Sequence, residues 1–283
     1  LFNWDPGYVT ITWISAKLGF GIYGVNIACG ALIVFGLSAF CRKMPSPWLA
    51  WLVATPYLLT VISMGYSRQA VALGFCFWAL SFLFEKKQAP FILLTLIGVT
   101  FHKATIFFLP FGILSWLTPF RLRTLFIFAL LLAPITIAML AFTKSYLLVD
   151  NYSSAGAPVR ALMNALPAAL FLLLYKRWKI FYGDSPTWVW LACASIVSIL
   201  VVVWPISTAI DRIGLYLLPI QVYVWSRLPS LPMFSSRRLS QLVTGGIVVL
   251  YGLAHFVWLN FALHKQCWVP YRNLLIDLLH FSL

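Results

Sequence analysis

PTWVWLACASIVSILVVVWPI, residues 186–206, carries no charge over the length needed to cross a bilayer. A hydrocarbon core of about 30 Å takes about 20 apolar residues in a helix. Reading outward with the same ruler gives apolar segments near 22–40, 47–65, 70–84, 89–101, 104–118, 124–143, 159–175, 211–226 and 239–263. The expectation is an all-α, polytopic transmembrane helical bundle of about ten spans, forming a single integral membrane domain over 1–283. Segment 6–20 is too short and too punctuated by polar residues to span, so within 1–20 a helix in the outer interface is expected. A further span upstream of Leu1 is expected as well. The short pair 89–101 and 104–118 meets at His102 and Lys103. It reads either as a tight helical pair or as broken helices around a wet cavity, since polar backbone at depth is tolerated only there.

Composition agrees. Hydrophobic residues make up 62% of the 283 and charged residues 9%, against roughly 25% charged in a soluble domain. Aromatics reach 17% with 13 Trp, as expected of rings anchoring helices at both interfaces. A net charge of +14 would suggest nucleic acid in a soluble chain, but the basic residues are scattered through short loops. Topology is the simpler reading, and no nucleic-acid partner is expected. Twelve of the 20 Lys and Arg fall in one alternate set of loops, as doublets and triplets at 42–43, 86–87, 121–123, 176–179 and 227–238. The other eight are mostly singletons, Arg68, Lys103, Arg160 and Arg212 among them. The first set is expected in the cytoplasm, and both chain ends outside. Cys29, Cys41, Cys76, Cys193 and Cys267 show no paired spacing and read as small core residues. No phosphate loop, zinc-type cluster or nucleophile elbow is present, so neither cofactor nor metal is expected.

A charge near lipid is expensive unless it is used, which singles out the outer set. Arg68 with Gln69 opens a span, where a guanidinium beside a helix N-terminus suits a phosphate, although an arginine there could also simply snorkel. His102, beside Lys103, could act as a base near neutral pH or donate to a pyrophosphate; packing against a helix end is the plain alternative. Asp211-Arg212 could be no more than an ion pair, and Asp5 no more than an N-cap. Tyr8, Tyr216 and Tyr271 sit beside these charges and could stack on sugar faces, with Arg272 close by. His255, in mid-span beside Trp258, reads as packing.

Asp5-Pro6-Gly7-Tyr8, Arg68-Gln69-Ala70, the turn Glu85-Lys86-Lys87, Phe101-His102-Lys103-Ala104, Asp211-Arg212-Ile213 with Tyr216, and Val269-Pro270-Tyr271-Arg272 form a set. In these motifs the chain resembles the EpsG-like, Wzy-type polysaccharide polymerases of bacterial envelopes. The likeness covers most of the chain and is most specific over 65–115. It implies a membrane glycosyltransferase, with an architecture resembling the GT-C glycosyltransferases. Such an enzyme takes an oligosaccharide repeat unit from undecaprenyl diphosphate and joins it to another lipid-linked chain, on the outer face of the bacterial inner membrane. A flippase and a chain-length regulator would be partners. The residues agree with that chemistry: isolated arginines suit a diphosphate leaving group, and the lack of an acidic cluster suits a metal-free mechanism. On this reading Arg68, Gln69, Lys103, Arg212, Tyr216, Tyr8, Tyr271 and Arg272 bind substrate, and His102, Asp211 or Asp5 supplies the base. A lipid-linked glycan flippase needs the same basic cavity without a base, and a membrane O-acyltransferase needs a histidine aimed at a hydroxyl. Both remain alternatives.

Overall fold

The computed structural model describes residues 5–113, 156–183, 186–202, 212, 214–262 and 265–267. Among them the regular elements are eleven α-helices with a π-helical stretch and short 3-10 turns, and no strand. In chain order these are α1 (Pro6–Lys17), α2 (Gly21–Cys41) and α3 (Pro47–Ala54), which runs into the π-helical Thr55–Ser63. Then come α4 (Ser67–Leu83), α5 (Gln88–Phe101), the 3-10 turn Lys103–Phe108 and α6 (Leu109–Ile113). The remainder are α7 (Ala157–Leu173), α8 (Tyr175–Tyr182), α9 (Pro186–Val202), α10 (Pro219–Arg227) and α11 (Arg237–Phe261).

The pattern of burial is that of a bundle in lipid. α4 is central, with twelve of its residues between Gln69 and Ser81 buried. It meets α2 where both backbones are bare: a Cβ on Gly36 would land on the Gly74 carbonyl, and one on Gly74 would stand 2.7 Å from the Ile33 Cα. Small residues at such a crossing let helices approach closely where lipid supplies no hydrophobic drive. The periphery points apolar side chains outward, with Ile27 73% and Leu173 82% exposed. α11 buries only Ile247 and Tyr251. Water would penalise that surface at about 25 cal/mol per Å²; acyl chains do not.

α2 and α11 are long and apolar enough to cross a membrane alone, and α7 with α8 forms a third candidate bent by 77°. Shorter apolar rods occupy Pro47–Ser63, Ser67–Leu83, Gln88–Phe101 and Pro186–Ile199. The expected segments 22–40, 47–65, 70–84, 89–101 and 159–175 and the described parts of 186–206 and 239–263 thus fall on helices, while 124–143 lies outside the described residues. Segment 6–20 is helical over Pro6–Lys17, as α1, and turns at Leu18 and Gly19. Segment 211–226 departs from expectation. It holds a 3-10 turn, Leu215–Leu217, and then α10, nine residues begun by Pro219, because a proline is best placed where a helix starts afresh. The basic run 176–179 is not loop but α8, turned across the end of α7 with Trp178 buried and Ile180 exposed, as an interfacial helix would lie.

Over its described part, which ends at Ile113, the pair 89–101 and 104–118 is a tight helical hairpin. A Cβ on Gly98 would meet the Thr105 methyl at 2.9 Å, and one on Gly112 would strike the Phe91 ring, so the chain reverses at His102 and runs back along α5. The bundle also has two chemically distinct ends. At one, Lys43 and Lys87 bridge Glu85 at 2.6 and 2.8 Å, and their hydrogen bonds hold the Glu85 carboxyl at about 2. There too the Arg227 guanidinium lies over the rings of Tyr182, Tyr223 and Phe84 at 4.6, 4.8 and 5.2 Å. Lys43, Lys87 and Arg227 therefore share one end with α8, which carries Lys176, Arg177 and Lys179.

Candidate active site

The singletons gather at the opposite end. Gly7 is the reason α1 reaches it: a Cβ there would lie 2.5 Å from the Thr100 Oγ1 and 2.9 Å from the Phe101 ring. With only a hydrogen in the way, α1 seats on the last turn of α5, and the residue before its first turn, Asp5, meets the first turn of α4. Asp5 makes no side-chain cap bond. Its Oδ2 instead accepts from the Arg68 Nη1 at 2.9 Å, while its Oδ1 is buried without a hydrogen-bond partner. Arg68 also stands 5.5 Å from the centre of the Tyr8 ring, whose hydroxyl lies 3.4 Å from the Ser67 Oγ. The arginine is thus held on one side by a carboxylate and an aromatic face, with about half of its side chain still exposed.

Gln69 serves its neighbour's backbone. Buried, it donates from Nε2 to the Arg212 carbonyl at 3.1 Å, which ties the start of α4 to the segment that carries Arg212 and Tyr216. Arg212 itself is exposed.

His102 occupies the extended residue between α5 and the 3-10 turn. Its Nδ1 lies 2.9 Å from the hydroxyl of the fully buried Tyr216, which is 3.2 Å from the Thr105 Oγ1, itself 3.4 Å from the Gly98 carbonyl. A carbonyl only accepts, so a chain running His102 to Tyr216 to Thr105 to Gly98 satisfies every member and leaves the Nε2 lone pair free. Burial pushes the imidazole down to about 4; Asp5 opposes this, and Arg212, Arg68 and Lys103 reinforce it. The imidazole is therefore neutral at pH 7, in a field where three cations face one carboxylate.

Asp5, Tyr8, Arg68, Gln69, His102, Lys103, Arg212 and Tyr216 are thus brought to one end of the bundle; Asp211, Tyr271 and Arg272 lie outside the described residues. Sequence reading did not single out Thr105, which carries no charge and only matters once Tyr216 is beside it. It also missed the buried amides Asn164 and Gln221, joined at 2.6 Å, although a paired Asn and Gln in apolar segments is the available signal. His255 packs as expected, its Nε2 3.4 Å from the Thr60 Oγ1.

The sequence profile described as "EpsG family" matches residues 1–273, the whole of the described site included. The chain belongs to the EpsG family. The resemblance carried by Arg68-Gln69-Ala70 and Phe101-His102-Lys103-Ala104 is borne out. The EpsG family is linked to exopolysaccharide biosynthesis, which makes this EpsG chain a membrane protein of polysaccharide synthesis. Comparison with curated proteins and with solved structures gives no match.

Proposed function

We propose that the chain is a bacterial inner-membrane glycosyltransferase that polymerises undecaprenyl-diphosphate-linked repeat units, working on the outer face with an about ten-span, GT-C-like bundle. The observation that carries this reading is the meeting of Asp5, Arg68, His102, Lys103, Arg212 and Tyr216, drawn from four distant segments, around a neutral imidazole. In the reaction an acceptor sugar hydroxyl attacks the anomeric carbon of the donor glycan. A new glycosidic C–O bond forms as the bond to the diphosphate breaks, and undecaprenyl diphosphate leaves with the electron pair. Arg68, Arg212 and Lys103 neutralise the charge that develops there, the arginines through planar forks that bind two oxygens at once. The hydroxyl proton passes to His102 Nε2. Tyr216 and Thr105 fix the ring's tautomer, and Gln69 fixes the Arg212 backbone. Asp5 holds Arg68, and Asp211 is the remaining carboxylate among the motifs of the outer set. Tyr8, with Tyr271 and Arg272 from the closing motif, would contact sugar. A flippase that supplies repeat units and a chain-length regulator would be functional partners.

The test is genetic and chemical. Arg68→Ala or Arg212→Ala should abolish long polymer at nearly unchanged protein abundance, with Arg→Lys restoring it only in part. Cells should then display single repeat units outside, because flipping is intact. Normal chain lengths in the Arg68→Ala strain would make the arginine an interface anchor, and absence of single units outside would point to a flippase.

A further inference from the structure

Arg212, Gly214 and Tyr216 are alternate residues of one segment, and each is tied to a different helix. Gln69 of α4 donates to the Arg212 carbonyl at 3.1 Å, and the Tyr216 hydroxyl meets His102, at the end of α5, at 2.9 Å. The middle residue is held by a longer chain of buried side chains. The Asn164 Nδ2 of α7 donates to the Gly214 carbonyl at 3.0 Å, the Gln221 Nε2 of α10 to the Asn164 Oδ1 at 2.6 Å, and the Tyr251 hydroxyl of α11 to the Gln221 Oε1 at 2.6 Å.

The direction of this chain is set where it ends. A backbone carbonyl only accepts, so Asn164 turns its amide nitrogen to Gly214 and its oxygen to Gln221. That oxygen needs the Gln221 nitrogen, which leaves the Gln221 oxygen for Tyr251. Each side chain thus has one orientation, and three helices are registered against position 214. Asn164 and Gln221 are each 4% exposed, in a bundle whose outer surface is apolar, where polar groups without a use are costly. The cavity beside them measures about 20 Å³, room for about one water molecule. It is too small for a sugar ring or a headgroup, so these amides serve the backbone of the segment. Tyr251 is one of only two residues that α11 buries, and through it a helix otherwise turned to lipid reaches the same segment.

We propose that Asn164, backed by Gln221 and Tyr251, is a positioning residue of the active site. By fixing the Gly214 carbonyl it sets where Arg212 presents its guanidinium to the diphosphate and where Tyr216 meets His102. Arg212 is exposed, and its planar fork binds two phosphate oxygens at once only if its backbone is held in register. The assignment rests on the glycosyltransferase reading above and extends the support of its site to α7, α10 and α11.

The test reads the affinity of the full chain, in nanodiscs, for bare undecaprenyl diphosphate. Asn164→Leu nearly keeps the side-chain volume and removes both hydrogen bonds; it should weaken binding about tenfold, the scale of one lost hydrogen bond. Arg212→Ala should weaken binding too. The double variant should bind no worse than Arg212→Ala alone, because the residue through which Asn164 acts is already gone. Ser226→Ala, which deletes a buried hydroxyl bonded only within its own helix, should bind as wild type does. Wild-type affinity in Asn164→Leu would make the chain a packing feature. Equal losses with and without Arg212, or an equal loss in Ser226→Ala, would mean a general effect on the fold. Each of these results overturns the positioning role while the glycosyltransferase reading stands. If Asn164→Leu does not fold, Gln221→Met, which withdraws the donor behind Asn164, decides through the same cycle. If wild type does not bind the probe, the glycosyltransferase reading fails and the positioning role falls with it.

Discussion

At the scale of single residues, the chemistry turns on how His102 is held. A neutral imidazole pushed down to about 4 is in its proton-accepting form throughout the physiological range. Activity that needs that form is lost only as pH falls through the histidine's own value. The acid limb of kcat/KM, which reports the free protein, should therefore lie near 4, well below the 6.5 or so of an ordinary histidine. Bound diphosphate cancels part of the field of Arg68, Arg212 and Lys103 and raises the imidazole, so the acid limb of kcat should sit higher than that of kcat/KM. Coincident limbs, or a limb unmoved in His102→Gln, would exclude this histidine as the base. Tyr216→Phe removes the hydrogen bond but not the ring; kcat should fall about tenfold or more with KM little changed, and the acid limb should shift with it. Much of this site was legible in the chain. Single charges in apolar surroundings mark themselves, and Arg68, His102 and Arg212 could be named on that ground alone. Thr105 could not, because an uncharged polar residue acquires its role from a partner, here 111 positions away, and the Asn164–Gln221 pair left only the weaker signal of two amides in apolar segments.

At the scale of the helix, the crossing of α2 and α4 is the most exacting contact. A methyl on Gly36 has nowhere to go but into the Gly74 carbonyl. Gly36→Ala should cost about 1–3 kcal/mol as overpacking does, read as a lower thermal midpoint in detergent and less protein in the membrane. Gly246→Ala, where a Cβ meets open space, is the control and should change neither. Equal stability of the two variants would mean that the helices do not touch there. Hydropathy located these helices well, since a continuous apolar run has few other solutions, but it is blind to which faces meet. It also misread 176–179. Lys176, Arg177 and Lys179 look like a loop when counted as charges, yet Tyr175, Trp178 and Tyr182 alternate with them at helical spacing from before the run to after it and bury Trp178 under Tyr223, whose hydroxyl accepts from the indole at 3.0 Å. The basic count was right about the end of the molecule and wrong about the local structure.

At the scale of the molecule, the two ends differ in kind: paired Lys and Arg with aromatic covers at one, the gathered singletons at the other. Cysteines introduced at positions 43 and 87 should label from the same side, the cytoplasm, and one at position 66 from the other. Opposite labelling of 43 and 87 would contradict the Lys43–Glu85–Lys87 bridge. The helices joining these ends are unequal. α5, with 14 residues, is about 21 Å long, whereas α11, with 25, is about 37 Å. An element of 21 Å that begins at the basic end stops several ångströms short of the far side of a core of about 30 Å. His102, at its tip, then lies below the headgroups. The bilayer must thin over this corner, or water and headgroups must sink into it. A lipid-borne diphosphate would meet His102 without its polyprenyl tail leaving the acyl layer. Catalysis should then depend on hydrophobic thickness: rate in vesicles of di-14:1 phosphatidylcholine should exceed that in di-22:1, with equal insertion of the protein. A rate indifferent to acyl length would put the histidine level with the headgroups.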